Sequence, residues 1–126
     1  MEKVSGIGGI FFKAAQPQRM AAWYRENLGI ETTDGNTEFH WREKDQPEKL
    51  GRTVWALFPA DTDYFATSKA GFMVNYRVAN LDRMVEQLRG KGVTVDKIEK
   101  HDYGKFAWVT DPEGNRIELW EPVEKG

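Results

Sequence analysis

The chain has 126 residues, of which 40% are apolar and 30% charged, and its formal net charge is −2. This length suits one domain with one core, and the charge balance excludes the basic field typical of nucleic-acid-binding proteins and polybasic membrane surfaces. Because the chain has no cysteine, disulfides, thiolate metal sites and cysteine nucleophiles are excluded, and a cytoplasmic location is expected. We also expect no membrane-spanning segment and no signal peptide.

The first half of the chain alternates between strand-like and helix-like patterns. A helix is predicted around QPQRMAAWYRENLG, with Pro17 in its first turn, Gly29 at its C-terminal cap and an apolar stripe at Met20, Trp23, Tyr24 and Leu28. The sequence Asp-Gly-Asn at 34–36 predicts a hairpin turn. Strands are predicted at 7–14, 30–33, 37–42 and 52–58.

The second half repeats this order of elements. Asn80 is the predicted N-cap of a helix whose apolar stripe is Leu81, Met84, Val85 and Leu88. Strands are predicted at 72–78, 93–98, 106–110 and 116–120.

An internal repeat with a shift of 64 residues relates the two halves. It places Phe12 on Tyr76, Lys13 on Arg77 and Met20 on Met84. We therefore interpret residues 1–126 as a single α+β domain made of two βαβββ modules, about 1–62 and about 70–126. The segment 59–71 is expected to link them and to pack two aromatic residues.

Alternation along the predicted strands separates the side chains into two faces. The helix face, expected to lie under the helices, is uniformly apolar: Ile10, Phe12, Trp55, Leu57, Val74, Tyr76, Val78, Ala107, Val109, Ile117 and Leu119. The inner face mixes aromatic rings and charges: Phe11, Lys13, Phe58, Met73, Asn75, Arg77, Phe106, Trp108, Arg116, Glu118 and Trp120. Such a mixture is typical of a small-molecule pocket, although the aromatic residues alternatively fill a second core.

The sequence TDPEGNRIELWEP predicts the register of the last two strands. A three-residue Pro-Glu-Gly loop would place Trp108 opposite Glu118 and Phe106 opposite Trp120. Asp111 and Asn115 flank this loop and are expected to shape it. The question raised by this hairpin is why a strand places Glu118 between Ile117 and Leu119.

The two modules, the segment AAWYRENLGI and the hairpin DPEGNRIELWEP together resemble the vicinal oxygen chelate superfamily. This superfamily includes glyoxalase I, the extradiol dioxygenases, the fosfomycin resistance proteins and the bleomycin-binding proteins. The resemblance covers nearly the whole chain and implies a cupped, eight-stranded mixed sheet that holds a ligand inside.

In metal-using members, the resemblance implies four ligands from four strands, which correspond here to Gly9, Ala56, Met73 and Glu118. Only Glu118 is able to bind a divalent metal, and a register shift of two residues would add only Asn75. Since a metal enzyme needs about three protein ligands, we predict no metal and no cofactor. His40 and His101 are interpreted as surface or packing residues.

Lys13, Arg77 and Arg116 accompany Glu118 on the inner face, so cations outnumber carboxylates there. Lys13 and Arg77 occupy equivalent positions in the repeat and are expected to approach each other. Glu118 then either pairs with one of these cations, which ties the modules together, or serves a bound ligand as hydrogen-bond acceptor or general base. The predicted ligand-binding residues are Phe11, Lys13, Phe58, Met73, Asn75, Arg77, Trp108, Arg116 and Trp120, with Glu118 as the catalytic candidate.

The favoured hypothesis is a metal-independent, glyoxalase-like or bleomycin-resistance-like protein that binds a small aromatic or anionic molecule. A metal-dependent lyase or dioxygenase with displaced ligands is the alternative, and an interaction module with a filled inner face is the third. A homodimer is expected, with the cup formed either within one chain or by exchange of modules.

Overall fold

The computed structural model describes residues 1–66 and 68–123. Residue 67, within the predicted linker, and residues 124–126, at the end of the second predicted module, lie outside this description. The described residues form an α+β fold of two helices and seven strands. The elements are β1 (Val4–Ala14), α1 (Pro17–Leu28), β2 (Asn36–Arg42), β3 (Leu50–Pro59), β4 (Phe72–Val78), α2 (Leu81–Gly90), β5 (Glu99–His101), β6 (Gly104–Thr110) and β7 (Arg116–Pro122).

All seven strands belong to one mixed sheet with the order β2-β3-β1-β4-β7-β6-β5. In the first half β1 pairs in parallel with β3, and in the second half β4 pairs in parallel with β7. The halves meet where β1 pairs antiparallel with β4, so the central seam of the sheet lies within a single chain. Neither helix in the described ranges is long and apolar enough to cross a membrane.

Two of the eight expected strands are absent from the described residues. In segment 30–33 only Thr33 forms an isolated bridge, to Asn36, while Ile30 packs into the core under α1. In segment 93–98 the side chains of Val95 and Ile98 join the core under α2. The few apolar residues of both segments fill the core, and neither backbone forms a ladder of the sheet, although the Asp96 N–H donates to the Trp108 carbonyl at 3.1 Å.

The helix face is apolar, as its alternation pattern predicts, but it carries two separate cores rather than the single core expected from the chain length. One lies between α1 and the strands β1 and β3 and includes Phe12, Trp55 and Leu57. The other lies between α2 and the strands β4, β6 and β7 and includes Val78, Ala107 and Leu119.

The two helices are attached to these cores differently. The predicted N-cap of α2 is confirmed, because the Asn80 side chain accepts a hydrogen bond from the backbone N–H of Arg83 at 3.0 Å, and the predicted stripe of α2 packs into its core. In α1 the expected Pro17 start and left-handed Gly29 cap are confirmed. The predicted stripe of α1 is partly wrong: Met20 and Tyr24 pack inward, whereas Trp23 and Leu28 are exposed.

Glycines in β1 and β3 make room for large side chains beside the inner face. The Trp41 indole lies against Gly6 and Gly51, where a Cβ atom on either glycine would overlap the ring. The Oδ1 atom of Asn75 lies in the space that a side chain on Gly8 would occupy. Side chains at these glycines would therefore displace Trp41 or Asn75 from the edge of the site.

Candidate ligand-binding site

Glu118 lies at the centre of the inner face. The predicted hairpin register is confirmed, since Trp108 pairs with Glu118 and Phe106 with Trp120 across β6 and β7. On the other side, Asn75 of β4 pairs with Glu118. Only 1% of the Glu118 surface is exposed, so its polar atoms need protein partners.

Three neutral side chains donate hydrogen bonds to the Glu118 carboxylate. Asn75 Nδ2 donates to Oε1 at 2.6 Å, and Trp108 Nε1 donates to Oε2 at 2.9 Å. The hydroxyl of Tyr64 also donates to Oε2. A carboxylate offers about four acceptor positions, so these bonds satisfy most of the capacity of the buried group.

The cations expected to pair with Glu118 instead lie over aromatic rings. The Lys13 Nζ atom lies 5.0 Å from the ring centroid of Phe65, and the Arg116 Cζ atom lies 5.2 Å from that of Trp108. No ion pair joins Glu118 to a charged residue within the described part of the chain. Neutral donors, rather than a salt bridge, therefore hold the Glu118 carboxylate between Ile117 and Leu119 in the sheet.

The expected approach of Lys13 to Arg77 is wrong, because β1 and β4 run antiparallel. Phe12 pairs with Phe72 near one end of this ladder, and Gly6 pairs with Arg77 near the other. Lys13 and Arg77 are consequently separated by roughly 20 Å along the strands, at about 3.3 Å per residue.

A cavity of ≈ 700 Å³ lies on the inner face and is lined by both halves of the chain. Six residues predicted for the site line it, namely Phe11, Phe58, Asn75, Trp108, Glu118 and Trp120. Lys13, Met73, Arg77 and Arg116, also predicted for the site, are not among its lining residues. Its volume falls within the range of about 300–1,000 Å³ that is usual for small-molecule sites.

One wall of the cavity consists of parallel aromatic rings. The Phe106 ring is tilted by 6° from Trp120 and by 18° from Trp108, with centroids 6.0 and 6.4 Å apart. Tyr103 and His101, which stack on each other at 5.2 Å, continue the lining beyond Phe106. This wall favours flat, apolar ligand groups.

Tyr64 is a site residue that the sequence pattern did not identify. It lies in the segment between β3 and β4, where its ring stacks on Phe58 with centroids 5.4 Å apart and planes 12° apart. Burial of the phenol, together with the negative charge of Glu118, raises the Tyr64 pKa far above its ordinary value. The hydroxyl therefore remains protonated and keeps donating to Glu118. The neighbouring Phe65 is completely buried. Two adjacent aromatic residues, Tyr64 and Phe65, within a polar segment were the sequence feature that could have indicated a buried contact here.

Charged groups that were not predicted for the site also line the cavity. Arg52 and Glu38 come from the paired strands β3 and β2, and Glu99 comes from β5. The Glu38 carboxylate accepts a hydrogen bond from the His40 ring at 3.1 Å and lies 3.9 Å from an Arg52 nitrogen. The lining thus contains three carboxylates, counting Glu118, and the guanidinium of Arg52.

The residues around Glu118 do not fit a metal site. Across the neighbouring strands, Glu118 pairs with Asn75, Asn75 pairs with Gly9, and Gly9 pairs with Val54. The Asn75 amide presents its nitrogen, rather than its oxygen, to the carboxylate. Across residues 1–66 and 68–123, no group of three or more His, Cys, Asp or Glu side chains is arranged to hold a metal. His40 is exposed, and His101 stacks on Tyr103.

The family model of the glyoxalase-like domain matches residues 9–120. The chain belongs to the glyoxalase-like domain family. This confirms the predicted relationship to the vicinal oxygen chelate superfamily. No curated protein sequence matches this glyoxalase-like domain significantly.

Solved structures with the same fold include two methylmalonyl-CoA epimerases and a dioxygenase. The Mycobacterium tuberculosis epimerase is 21% identical with a TM-score of 0.60, and the match covers 96% of this chain and 90% of that one. A Streptomyces coelicolor epimerase variant in complex with 2-nitronate-propionyl-CoA is 19% identical with a TM-score of 0.68, with coverage of 97% and 100%. A catechol 2,3-dioxygenase is 20% identical with a TM-score of 0.56, and the match covers 97% of the glyoxalase-like domain and 40% of that chain. At these identities the similarity establishes the fold alone.

Proposed function

We propose that this glyoxalase-like domain binds a small planar molecule, without a resident metal, through a hydrogen bond to Glu118. The observation that carries the proposal is the buried carboxylate of Glu118, which lies on an aromatic-lined cavity and whose three hydrogen-bond donors are all neutral side chains. The ring wall of Phe106, Trp108 and Trp120 would stack on the flat body of the ligand. A donor group of the ligand, such as a phenol or an aromatic N–H, would face the carboxylate.

The hydrogen bonds already made by Glu118 indicate which atom receives the ligand. Oε2 accepts from both Tyr64 and Trp108, whereas Oε1 accepts from Asn75 alone. Since each carboxylate oxygen offers about two acceptor positions, the remaining position is on Oε1. A ligand donor placed there would complete the carboxylate without breaking the three existing bonds.

The scarcity of metal-binding side chains around Glu118 among residues 1–66 and 68–123 supports metal independence. Stable divalent sites need about three protein ligands, and of the described side chains that hydrogen-bond to Glu118 only Asn75 carries a carbonyl oxygen able to join it. The alternative of a metal-dependent lyase or dioxygenase therefore receives no support from the donor set. Elemental analysis of protein purified without chelator or affinity tag should find less than stoichiometric zinc, nickel, manganese or iron. A stoichiometric metal that resists dialysis would overturn this part of the proposal.

Ligand binding is tested by screening planar phenols and aromatic amines for quenching of tryptophan fluorescence, followed by titration calorimetry. Trp108 and Trp120 line the cavity, so binding there should quench their emission. Trp23→Phe should preserve the quenching, since Trp23 is 53% exposed on α1, on the opposite side of the sheet. Absence of any saturable binder would favour an interaction module instead.

The role of Glu118 is tested with Glu118→Gln. Because a hydrogen bond to a charged acceptor contributes about 1.5–3 kcal/mol, we expect at least a tenfold loss of affinity for a hit from the screen. Glu113→Gln, at an exposed position in the β6–β7 turn, makes the same chemical change away from the cavity and should retain affinity. Incorporation of deuterium from D2O at a carbon atom of a bound ligand, beyond the exchange seen without protein, would extend the role of Glu118 to general base, and loss of this exchange in Glu118→Gln would assign it.

The homodimer and the cytoplasmic location remain predictions from the sequence. Sedimentation analysis of the purified chain tests the dimer.

A further inference from the structure

Two arginine side chains meet on a single indole at one end of the cavity. The Arg52 Cζ atom lies 5.3 Å and the Arg77 Cζ atom 5.7 Å from the ring centroid of Trp120. Arg77 also lies 5.3 Å from the centroid of Trp41, the indole held against Gly6 and Gly51. The rings favour both cations, but like charges gathered on one ring repel each other.

The hydrogen-bonding capacity of these two guanidinium groups is largely unused. Within the described residues, Arg77 Nε is buried and has no hydrogen-bond partner. Arg52 has one ion pair, with Glu38 at 3.9 Å, which is longer than a hydrogen bond. A guanidinium has five N–H donors, so an incoming oxyanion would find several of them available.

The charge surroundings of Arg77 also favour an additional anion. Burial, opposed by Glu43 and assisted by the neighbouring Arg52, lowers the Arg77 pKa from its ordinary value. The shift means that the charged form of Arg77 is poorly compensated by the protein itself. A bound oxyanion near Arg52 and Arg77 would supply the missing negative charge.

This end of the cavity lies at a defined distance from the Glu118 end. Trp120 follows Glu118 by two residues on the same face of β7, a spacing of roughly 7 Å along a strand. Arg52 lines the cavity directly, whereas Arg77 contacts the same Trp120 ring without lining the cavity. A ligand of one aromatic ring with substituents at opposite ends spans this distance.

We propose that Arg52, supported by Arg77, forms an oxyanion subsite for a carboxylate or phosphate group of the ligand. The inference rests on the function proposed above and specifies the ligand as a flat aromatic acid. Its donor end faces Glu118, its ring stacks along the Phe106 and Trp120 wall, and its acidic end meets Arg52. Glu38 lies at the same end, 3.9 Å from Arg52, so the oxyanion would replace this long ion pair with direct hydrogen bonds to the guanidinium.

The test uses three probes that share a 4-hydroxybenzyl body and differ in the terminal group: the carboxylate of 4-hydroxyphenylacetate, its neutral amide 4-hydroxyphenylacetamide, and the phosphonate of 4-hydroxybenzylphosphonate. Calorimetry at low ionic strength should show at least tenfold tighter binding of one of the acids than of the amide, because charge-assisted hydrogen bonds are the stronger ones. Whichever acid binds more tightly identifies the oxyanion class. The preference should shrink as salt is added, a measurement that needs no variant.

Arg52→Gln should abolish the preference for the acids while leaving the affinity of the amide within about twofold. Arg19→Gln removes the same charge from exposed Arg19 on α1 and should keep the full preference. Equal binding of the amide and both acids to the wild-type protein would overturn the subsite and leave the proposed function standing. Failure of all three probes to bind at millimolar concentrations, while a neutral phenol or aromatic amine from the screen does bind, would also overturn it. If no planar compound binds at all, the proposed function fails together with the subsite.

Discussion

The charged groups at the two ends of the cavity differ in how many hydrogen-bond partners the protein gives them. At one end, Glu118 is 1% exposed and accepts hydrogen bonds from Tyr64, Asn75 and Trp108. At the other end, Arg52 and Arg77 share the Trp120 ring with few polar partners. A charge whose hydrogen-bond partners come from the protein stabilises the fold. A charge whose N–H donors have few protein partners is available to bind a ligand. The difference implies that mutations at the first end lower stability as well as ligand affinity, whereas those at the second end act mainly on binding.

Glu118→Ala should have the largest effect on stability. It leaves three donors at the inner face without their acceptor, and unsatisfied buried donors cost about 1–3 kcal/mol each. We expect a loss of about 3 kcal/mol in the free energy of unfolding, measured by urea denaturation. Glu113→Ala at the exposed turn should stay within about 0.5 kcal/mol of the wild type. Similar values for the two variants would show that the buried cluster contributes little to stability.

Tyr64→Phe removes one donor from Glu118 and keeps the stacking on Phe58. Because a hydrogen bond to a charged group contributes about 1.5–3 kcal/mol, we expect a loss near the lower limit, about 1.5 kcal/mol. The matched control is Tyr103→Phe, whose ring is 57% exposed, and it should change stability by less than about 0.5 kcal/mol. An unchanged midpoint for Tyr64→Phe would contradict the assignment of Tyr64 as a donor to the carboxylate.

The same hydroxyl should produce a pH dependence at the alkaline limit. Burial and Glu118 raise the pKa of Tyr64 in the folded state, while an unfolded tyrosine titrates near pH 10. Above about pH 10 the unfolded chain therefore loses a proton that the folded chain retains, so this contribution is complete below that pH and declines above it. Urea midpoints measured from pH 8 to 11 should fall less steeply for Tyr64→Phe than for wild type. Parallel curves for the two proteins would count against the raised pKa.

Arg77→Met should have the smallest effect on stability. Methionine keeps the apolar contacts with Trp41 and Trp120 and removes the buried Nε atom that lacks a partner, although two cation–π contacts are lost. These contributions are of similar size, about 0.5–2 kcal/mol each, so the unfolding free energy should change by about 1 kcal/mol or less. A loss as large as that of Glu118→Ala would show that Arg77 is a structural charge, and the contrast between the two ends would disappear.

The features of the site that follow strand periodicity were predictable from the sequence. Alternation assigns Phe11, Asn75 and Glu118 to one face, and the Pro-Glu-Gly turn fixes Trp108 opposite Glu118; both predictions hold. The glyoxalase-like family was also predictable from the order of the elements and the hairpin DPEGNRIELWEP, and the family model matches residues 9–120. These inferences depend on local geometry, which sequence spacing determines.

The remaining features depend on contacts between distant segments. Tyr64 lies in a segment without periodicity, so its bond to a residue 54 positions away leaves no pattern in the sequence. Parity places Lys13 and Arg116 on the correct face, but it does not reveal that aromatic rings, rather than Glu118, are their partners. Segment 93–98 has the apolar character of a strand because Val95 and Ile98 fill the core under α2. In each case tertiary packing, rather than local propensity, decides the outcome.

The separation in sequence of the Glu118 partners has a consequence for folding kinetics. Tyr64 and Asn75 lie 54 and 43 residues from Glu118, so the cluster forms only when β4 has paired with β7 and the segment between β3 and β4 has packed against them. Contacts over such separations cost loop-closure entropy before they stabilise anything. We therefore expect this cluster to form after the rate-limiting step of folding, and its loss to accelerate unfolding while hardly slowing folding. The carboxylate at the centre of the candidate site would then determine how long the folded chain persists.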